Sequence, residues 1–324
     1  MHLLKDNDYK TFESICALGQ KALKKTMATV LRSKYKKVIE TPDYVIAEGD
    51  IPIALVAHLD TVFPKPAKEI FYDRQKNVIW SPAGLGADDR AGVFAIIQII
   101  RKGYRPHIIF TTDEETGAQG AIALGKEKCP FKDLCYMIEL DRRGSNDCVF
   151  YDCDNPEFIK YVEKFGFAEA IGSFSDISVL MEDWLIAGVN LSIGYRDEHS
   201  ISEVLFVEHM LNTIQRVCNM LDEKEIPKFE FIPYEYNSPY AFNWYRLYKN
   251  DYDKNKCWLC GQQFNETEMV PVKLKDNTIR NFCVDCIVDT VNWCSCCGEA
   301  FEADSNNKSR LCNDCRYEFF HEQY

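Results

Sequence analysis

Five short motifs carrying acids and imidazoles recur between residues 58 and 203, each set beside an apolar segment. This arrangement constrains the fold more than any other feature of the chain. His58 and Asp60 follow IALVA in AHLDTV, and Asp88 and Asp89 stand between a glycine loop and an apolar helix in GLGADDRAG. Glu114 and Glu115 follow HIIF in TTDEETG, and Asp141 ends CYMIELD. His199 opens an H-x-x-x-E motif ending at Glu203 in YRDEHSISE. Short apolar runs read as strands. Strands separated by helical stretches give an α/β domain with a mostly parallel sheet flanked by helices. In such sheets, ligands bind beyond the carboxyl ends of the strands, so the five motifs are expected to converge there.

The expected strands are 44–47, 53–57, 107–111, 134–140 and 188–193. Helices are expected within 8–35 and over 88–102, 157–165 and 203–222. Residues 1–225 read as this α/β domain, 226–252 as an aromatic-rich linker packed on its surface, and 253–324 as a cysteine-rich domain.

Two imidazoles and three carboxylates suffice to hold two divalent ions with one carboxylate shared between them. Such a pair acidifies a water and polarises a carbonyl. A further carboxylate is then needed to take the water's proton and return it to the leaving group. Glu114 and Glu115 are adjacent and point different ways, so one can bind metal while the other faces substrate. In an extended H-x-D segment the two side chains share a face, which lets Asp60 accept a hydrogen bond from the far nitrogen of His58.

The motifs HLD, GADDRAG, TTDEETG, IELD and the late H-x-x-x-E resemble the superfamily of co-catalytic zinc exopeptidases. That superfamily includes leucyl-type aminopeptidases, peptidase T and related carboxypeptidases and deacylases. The match covers about residues 50–221, in the family's motif order. The resemblance implies that His58 and His199 each bind one metal, that Asp88 bridges, and that Glu115 and Asp141 complete the two sites. It further implies that Glu114 is the general base activating a metal-held water, and that Asp60 orients His58. The segment SFSDISVL, with Ser175 and Asp176, also resembles a Ser-Asp element of the aminopeptidase branch. Asp141 and His199 are 58 positions apart, too close for the lid or dimerisation insertion of the peptidase T branch. Zinc is the expected metal, and manganese or cobalt suits the same donors.

Nine of the fifteen cysteines lie between Cys257 and Cys315, mostly as C-x-x-C pairs. The pair Cys257 and Cys260 is separated from the pair Cys283 and Cys286 by 22 residues, and the pair Cys294 and Cys297 from the pair Cys312 and Cys315 by 14. Each set supplies four thiolates for one structural zinc, two zincs in all. The pattern resembles a treble-clef finger used twice, with cross-braced ligation as the alternative. MVPVKLKDNTIRNF between the first two pairs reads as a hairpin turning at Asp276-Asn277.

Acidic residues number 50 against 38 basic, for a net charge of −12. That balance argues against nucleic acid as a partner. No stretch approaches the length of a membrane span. The charged start MHLLKDNDYK is unlike a secretory leader, and cytoplasmic residence is expected. The substrate expected from these readings is a small peptide or an N-acyl amino acid, hydrolysed by an aminopeptidase-type enzyme. The fingers either hold their own tail together or contact a protein partner. The alternative is a non-catalytic zinc-finger adaptor on a hydrolase scaffold.

Overall fold

Apolar segments too short for helices line up as the strands of one twisted sheet. The computed structural model describes residues 3–234 and, beyond them, residues 257, 262, 264, 269–273, 279–283, 291–293 and 300–302. The chain divides into two units, Met1–Tyr236 and Asn237–Tyr324.

In the first unit, β1 (Lys37–Glu40), β2 (Tyr44–Glu48) and β3 (Ile51–His58) open the chain's strand order. A pair of short strands follows, β4 (Phe71–Asp73) and β5 (Val78–Trp80). Next come β6 (Pro106–Thr111), β7 (Tyr136–Arg142), β8 (Asp147–Val149), β9 (Ala168–Glu169) and β10 (Gly188–Ser192). The main sheet runs β1-β2-β6-β3-β7-β10-β8-β9. Its centre, β6-β3-β7-β10, is parallel. Strands buried on both faces need apolar side chains throughout, which is why IALVA and HIIF read as continuous runs rather than alternating ones. Helices α1 (Asp6–Cys16), α2 (Gln20–Arg32), α3 (Ala87–Arg101), α4 (Gln119–Gly125), α5 (Pro156–Glu163), α6 (Asp176–Trp184) and α7 (Val207–Leu221) accompany it. The most buried of them is α3, with Val93, Phe94, Ile96 and Ile99 all inaccessible. Each such side chain contributes about 1.5–3 kcal/mol relative to exposure. Gly92 lets α3 approach β7, since a Cβ there would fall on the Leu140 carbonyl oxygen and the Asp89 carboxylate.

A second, antiparallel sheet, β11-β12-β5-β4, adds β11 (Tyr195–Arg196) and β12 (Val204–Phe206). Here the structure corrects the expected helix over 203–222: its first turn is instead β12, and α7 starts at Val207. The residues Val204-Leu205-Phe206 alternate intermediate, buried, intermediate, the period of a strand rather than a helix. The segment between Asp141 and His199 is consumed by β8, α5, β9, α6, β10 and β11, so there is no lid insertion.

Residues 226–234 are bonded into the first unit. Phe229 donates its N–H to the Cys135 carbonyl and accepts from Ala187 N–H. Its ring packs against Tyr136, Phe158 and Tyr161. Residues 235–252 of the expected linker lie outside the described residues.

In the second unit, β13 (Met269–Lys273) pairs antiparallel with β14 (Ile279–Cys283), the hairpin expected from the sequence. A further antiparallel pair joins β15 (Val291–Trp293) to β16 (Ala300–Glu302). Cys257 and Cys283 are buried. Cys260, Cys286, Cys294, Cys297, Cys312 and Cys315, with the Asp276-Asn277 turn, lie outside the described residues.

Candidate active site

The parallel strands deliver their motifs to one edge of the sheet. His58 is the last residue of β3, Asp141 stands near the end of β7, and Glu114 and Glu115 follow β6. Asp88 enters from the start of α3, where a cis peptide joins it to Asp89. His199 comes from the loop between β11 and β12, with a left-handed backbone at φ 62°.

Asp88 sits between the two histidines. Its Oδ1 is 3.0 Å from His58 Nε2, and its Oδ2 is 3.2 Å from His199 Nε2. Asp141 Oδ1 lies 3.6 Å from His58 Nε2, and Glu115 Oε2 lies 2.9 Å from His199 Nε2. These contacts form two ligand groups, His58-Asp88-Asp141 and Asp88-Glu115-His199, with Asp88 common to both. Within each group all donor atoms lie within 4.8 Å of one another. Glu114 Oε2 is 4.0 Å from His58 Nε2 and belongs to neither group. Asp60 Oδ1 lies 3.3 Å from His58 Nδ1, the far side of the ring. All the residues singled out from the sequence for metal and base chemistry in the first unit are thus brought together.

The electrostatics of this cluster call for cations. Burial, the nearby Asp141, Asp176 and Asp88 carboxylates all push the Glu114 carboxyl well above its ordinary pKa, against the opposing pull of His58. Burial and Asp88 likewise raise Asp141 to about 7. Asp88 itself is held below the usual range: burial opposes this, but hydrogen bonds from His199 and His58 prevail. Burial disfavours a charged His58, yet the carboxylates of Asp141, Asp60 and Asp88 lift its pKa well above normal. Carboxylates so close together with so little water repel one another unless positive charge lies between them. Glu115 Oε1 is buried with no hydrogen-bond partner. A paired imidazole and carboxylate donor set with an orphaned, inward carboxylate oxygen fits two divalent ions.

A supporting layer lies behind these groups, and much of it was not apparent from the sequence. Tyr195 Oη donates to Asp141 Oδ1 at 3.0 Å. Ser175 Oγ lies 2.6 Å from Glu139 Oε2 and 3.1 Å from Asp141 Oδ2. Asp176, fully buried, accepts a hydrogen bond from Thr111 Oγ1. Asn190 binds both the N–H and the carbonyl of Asp141, fixing the end of β7. Glu139 stands two residues before Asp141 on β7, so strand alternation places both on one face. That i, i+2 spacing in IELD was the available clue.

A cavity of about 470 Å³ adjoins the site, lined by Asp60, Thr61, Phe63, Arg90, Asp113 and Glu115 among others.

Known structures share this architecture. A TET aminopeptidase from a marine sediment thaumarchaeon superposes with a TM-score of 0.55 and 14% identity, over 68% of this chain and 98% of that one. A tripeptidase from Staphylococcus aureus gives a TM-score of 0.53 and 14% identity, over 67% of this chain and 97% of that one. The aminopeptidase PepT from Bacillus cereus gives 0.52 and 16%, over 66% and 97%. No family model matches the sequence, and no curated protein does. The chain thus shares the fold of these peptidase structures over about two thirds of its length.

Proposed function

We propose that the chain is a co-catalytic di-metal exopeptidase of aminopeptidase type, acting on small peptides. The observation that carries this reading is the position of Asp88, with one oxygen 3.0 Å from His58 and the other 3.2 Å from His199. His58, Asp88 and Asp141 would hold one ion, and Asp88, Glu115 and His199 the other. When bound, two such ions acidify a water and polarise the scissile carbonyl.

The remaining work falls to this chain's own side chains. Glu114, outside both ligand groups yet 4.0 Å from His58 Nε2, accepts the water's proton on a carboxylate oxygen. It then returns that proton to the departing amine, so no free base is needed in solution. Asp60 Oδ1, 3.3 Å from His58 Nδ1, orients the ring by its charge and so presents Nε2 to the metal side. The cavity of about 470 Å³ beside Asp60 and Glu115 suits a short peptide better than a folded protein. Its Phe63 and Val62 offer apolar contact to a substrate side chain.

Zinc is proposed as the resident metal, and eight of the nine cysteines from Cys257 to Cys315, all but Cys296, as ligands of two further, structural zincs in the second unit. With thiolate ligands of this kind, a reducing, cytoplasmic setting is the proposed location. No described helix is long and apolar enough to cross a membrane.

The test is hydrolysis of di- and tripeptides by the full chain supplied with zinc, manganese or cobalt. Release of the N-terminal residue from free peptides, but not from N-acetylated ones, is expected. A metal-loaded protein that cleaves neither free nor acylated peptides would refute the proposal.

A further inference from the structure

Glu203 is a buried carboxylate with an unusual set of partners: three consecutive backbone N–H groups. Its Oε2 accepts from Gly86 and from Ala87 at 3.0 Å, and its Oε1 accepts from Asp88 at 3.0 Å. Glu203 is 1% exposed. A carboxylate that deep is costly to bury unless donors satisfy it, and charge-assisted bonds to main-chain N–H groups are among the strongest available. Three such donors converge only because the backbone turns sharply. Gly86 supplies the turn with φ 67°, and a Cβ there would lie 2.9 Å from Thr61 Cγ2.

The chain on both sides of this contact leads to a metal ligand. Glu203 lies four residues after His199, and its three donors end at Asp88 itself. The two segments are also held in register by the small sheet. Strand β5 runs into the loop that carries Gly86–Asp88, and β12 follows directly from Glu203. They pair antiparallel with Val204 opposite Trp80. Val207 N–H closes the far end of this pair on the Asn77 carbonyl. The β5–β12 pair therefore sets the two ligand loops side by side, and Glu203 bonds one to the other. The 3.2 Å approach of His199 Nε2 to Asp88 Oδ2 is the geometric result.

We infer that Glu203 is a positioning residue for the metal pair: it fixes the backbone of the shared ligand Asp88 relative to the loop of His199. This rests on the di-metal reading above. A glutamine keeps the shape but replaces one carboxylate oxygen with an NH₂, which would face an N–H donor instead of accepting from it. Either the Asp88 N–H or the Gly86 and Ala87 pair then loses its acceptor. Loss of such support for a ligand weakens metal binding by about 10–100-fold.

The experiment compares full-length wild type, Glu203→Gln, Glu203→Asp and Asp88→Ala. Zinc affinity is measured by chelator competition, the visible absorption of the cobalt-loaded forms is recorded, and each melting temperature is taken without added metal. Asp88→Ala gives the background from metal bound elsewhere in the chain. Above that background, affinity is expected to fall by about 10–100-fold in Glu203→Gln. It should recover partway in Glu203→Asp, which restores both acceptor oxygens on a shorter stem. The cobalt spectrum of Glu203→Gln should change at saturating metal. In peptide turnover kcat should fall more than KM changes. Wild-type affinity and spectrum in Glu203→Gln, or affinities that merely follow the melting temperatures, would overturn the inference and leave the metallopeptidase reading intact. Wild type that binds no more metal than Asp88→Ala would instead remove that reading, and this inference with it.

Discussion

Asp60 accepts the backbone N–H of Glu114 on Oδ1 at 3.1 Å. The same carboxylate takes Glu115 N–H on Oδ2 at 3.0 Å and stands 3.3 Å from His58 Nδ1. One side chain just beyond β3 thus stands against the imidazole proposed to bind metal and holds the loop that carries Glu114 and Glu115. The sequence reading gave Asp60 only the first of these tasks. Replacing Asp60 with Asn should therefore cost more than a histidine-orienting role alone would. An NH₂ group must face His58 or one of the two amide donors. Metal affinity should fall by about 10–100-fold, with turnover falling alongside it. Isothermal titration with zinc and steady-state kinetics on a tripeptide measure both. Unchanged affinity would confine Asp60 to a minor role.

Glu114→Gln separates proton transfer from metal binding. Glu114 belongs to neither ligand group, so metal content should match wild type. Removal of a general base lowers kcat by about 10²–10⁴-fold. Single-turnover kinetics beside elemental analysis provide the check, and wild-type turnover in the variant would displace Glu114 from the role.

Gly92→Ala tests the packing that brings Asp88 to the sheet edge. Its Cβ would strike the Leu140 carbonyl oxygen and the Asp89 carboxylate, which itself accepts Gly92 N–H at 2.8 Å. Overpacking of this kind costs about 1–3 kcal/mol. Thermal or urea unfolding of the variant should show that loss, and a stability equal to wild type would mean that α3 can move away from β7 freely.

Much of the site was legible because its chemistry sits at strand ends in chain order. The apolar runs before His58, Glu114 and Asp141 needed only their continuity to read as buried strands. The residues that support this cluster were harder to see. Glu203 sat in a segment read as helix, because VLFVEHML is apolar enough to continue α7 upstream. The pairing of Val204–Phe206 with β5, contributed by residues over a hundred positions away, decides otherwise. Tyr195 and Asn190 likewise act through tertiary contacts with Asp141 that no local pattern announces.

A pH effect on stability should arise away from the metal site, at His107. Its Nδ1 accepts Gly49 N–H at 3.1 Å, and its ring stacks on Phe131 with centroids 4.2 Å apart. Burial lowers its pKa to about 4 in the folded chain, outweighing the opposing carboxylates of Glu48, Asp133 and Asp50. An unfolded histidine titrates at about 6.5. Above that pH both states are neutral and the contribution is fully present. Between about 6.5 and 4 the unfolded chain takes a proton that the folded chain does not, so stability falls as pH falls. His107→Asn keeps an acceptor for Gly49 and removes the titration. Its unfolding free energy should decline less steeply over this window, by on the order of 1–3 kcal/mol in total. Parallel pH profiles for the two proteins would contradict the assignment.

The central claim is that Asp88 joins two metal ions, and metal content per chain tests it most directly. Full-length wild type and Asp88→Ala are to be freed of loosely bound metal and compared by elemental analysis, with circular dichroism to establish that both are folded. Wild type should carry about two more equivalents than the variant, whatever the cysteine-rich unit contributes to both. Equal metal content in two folded proteins would contradict the account.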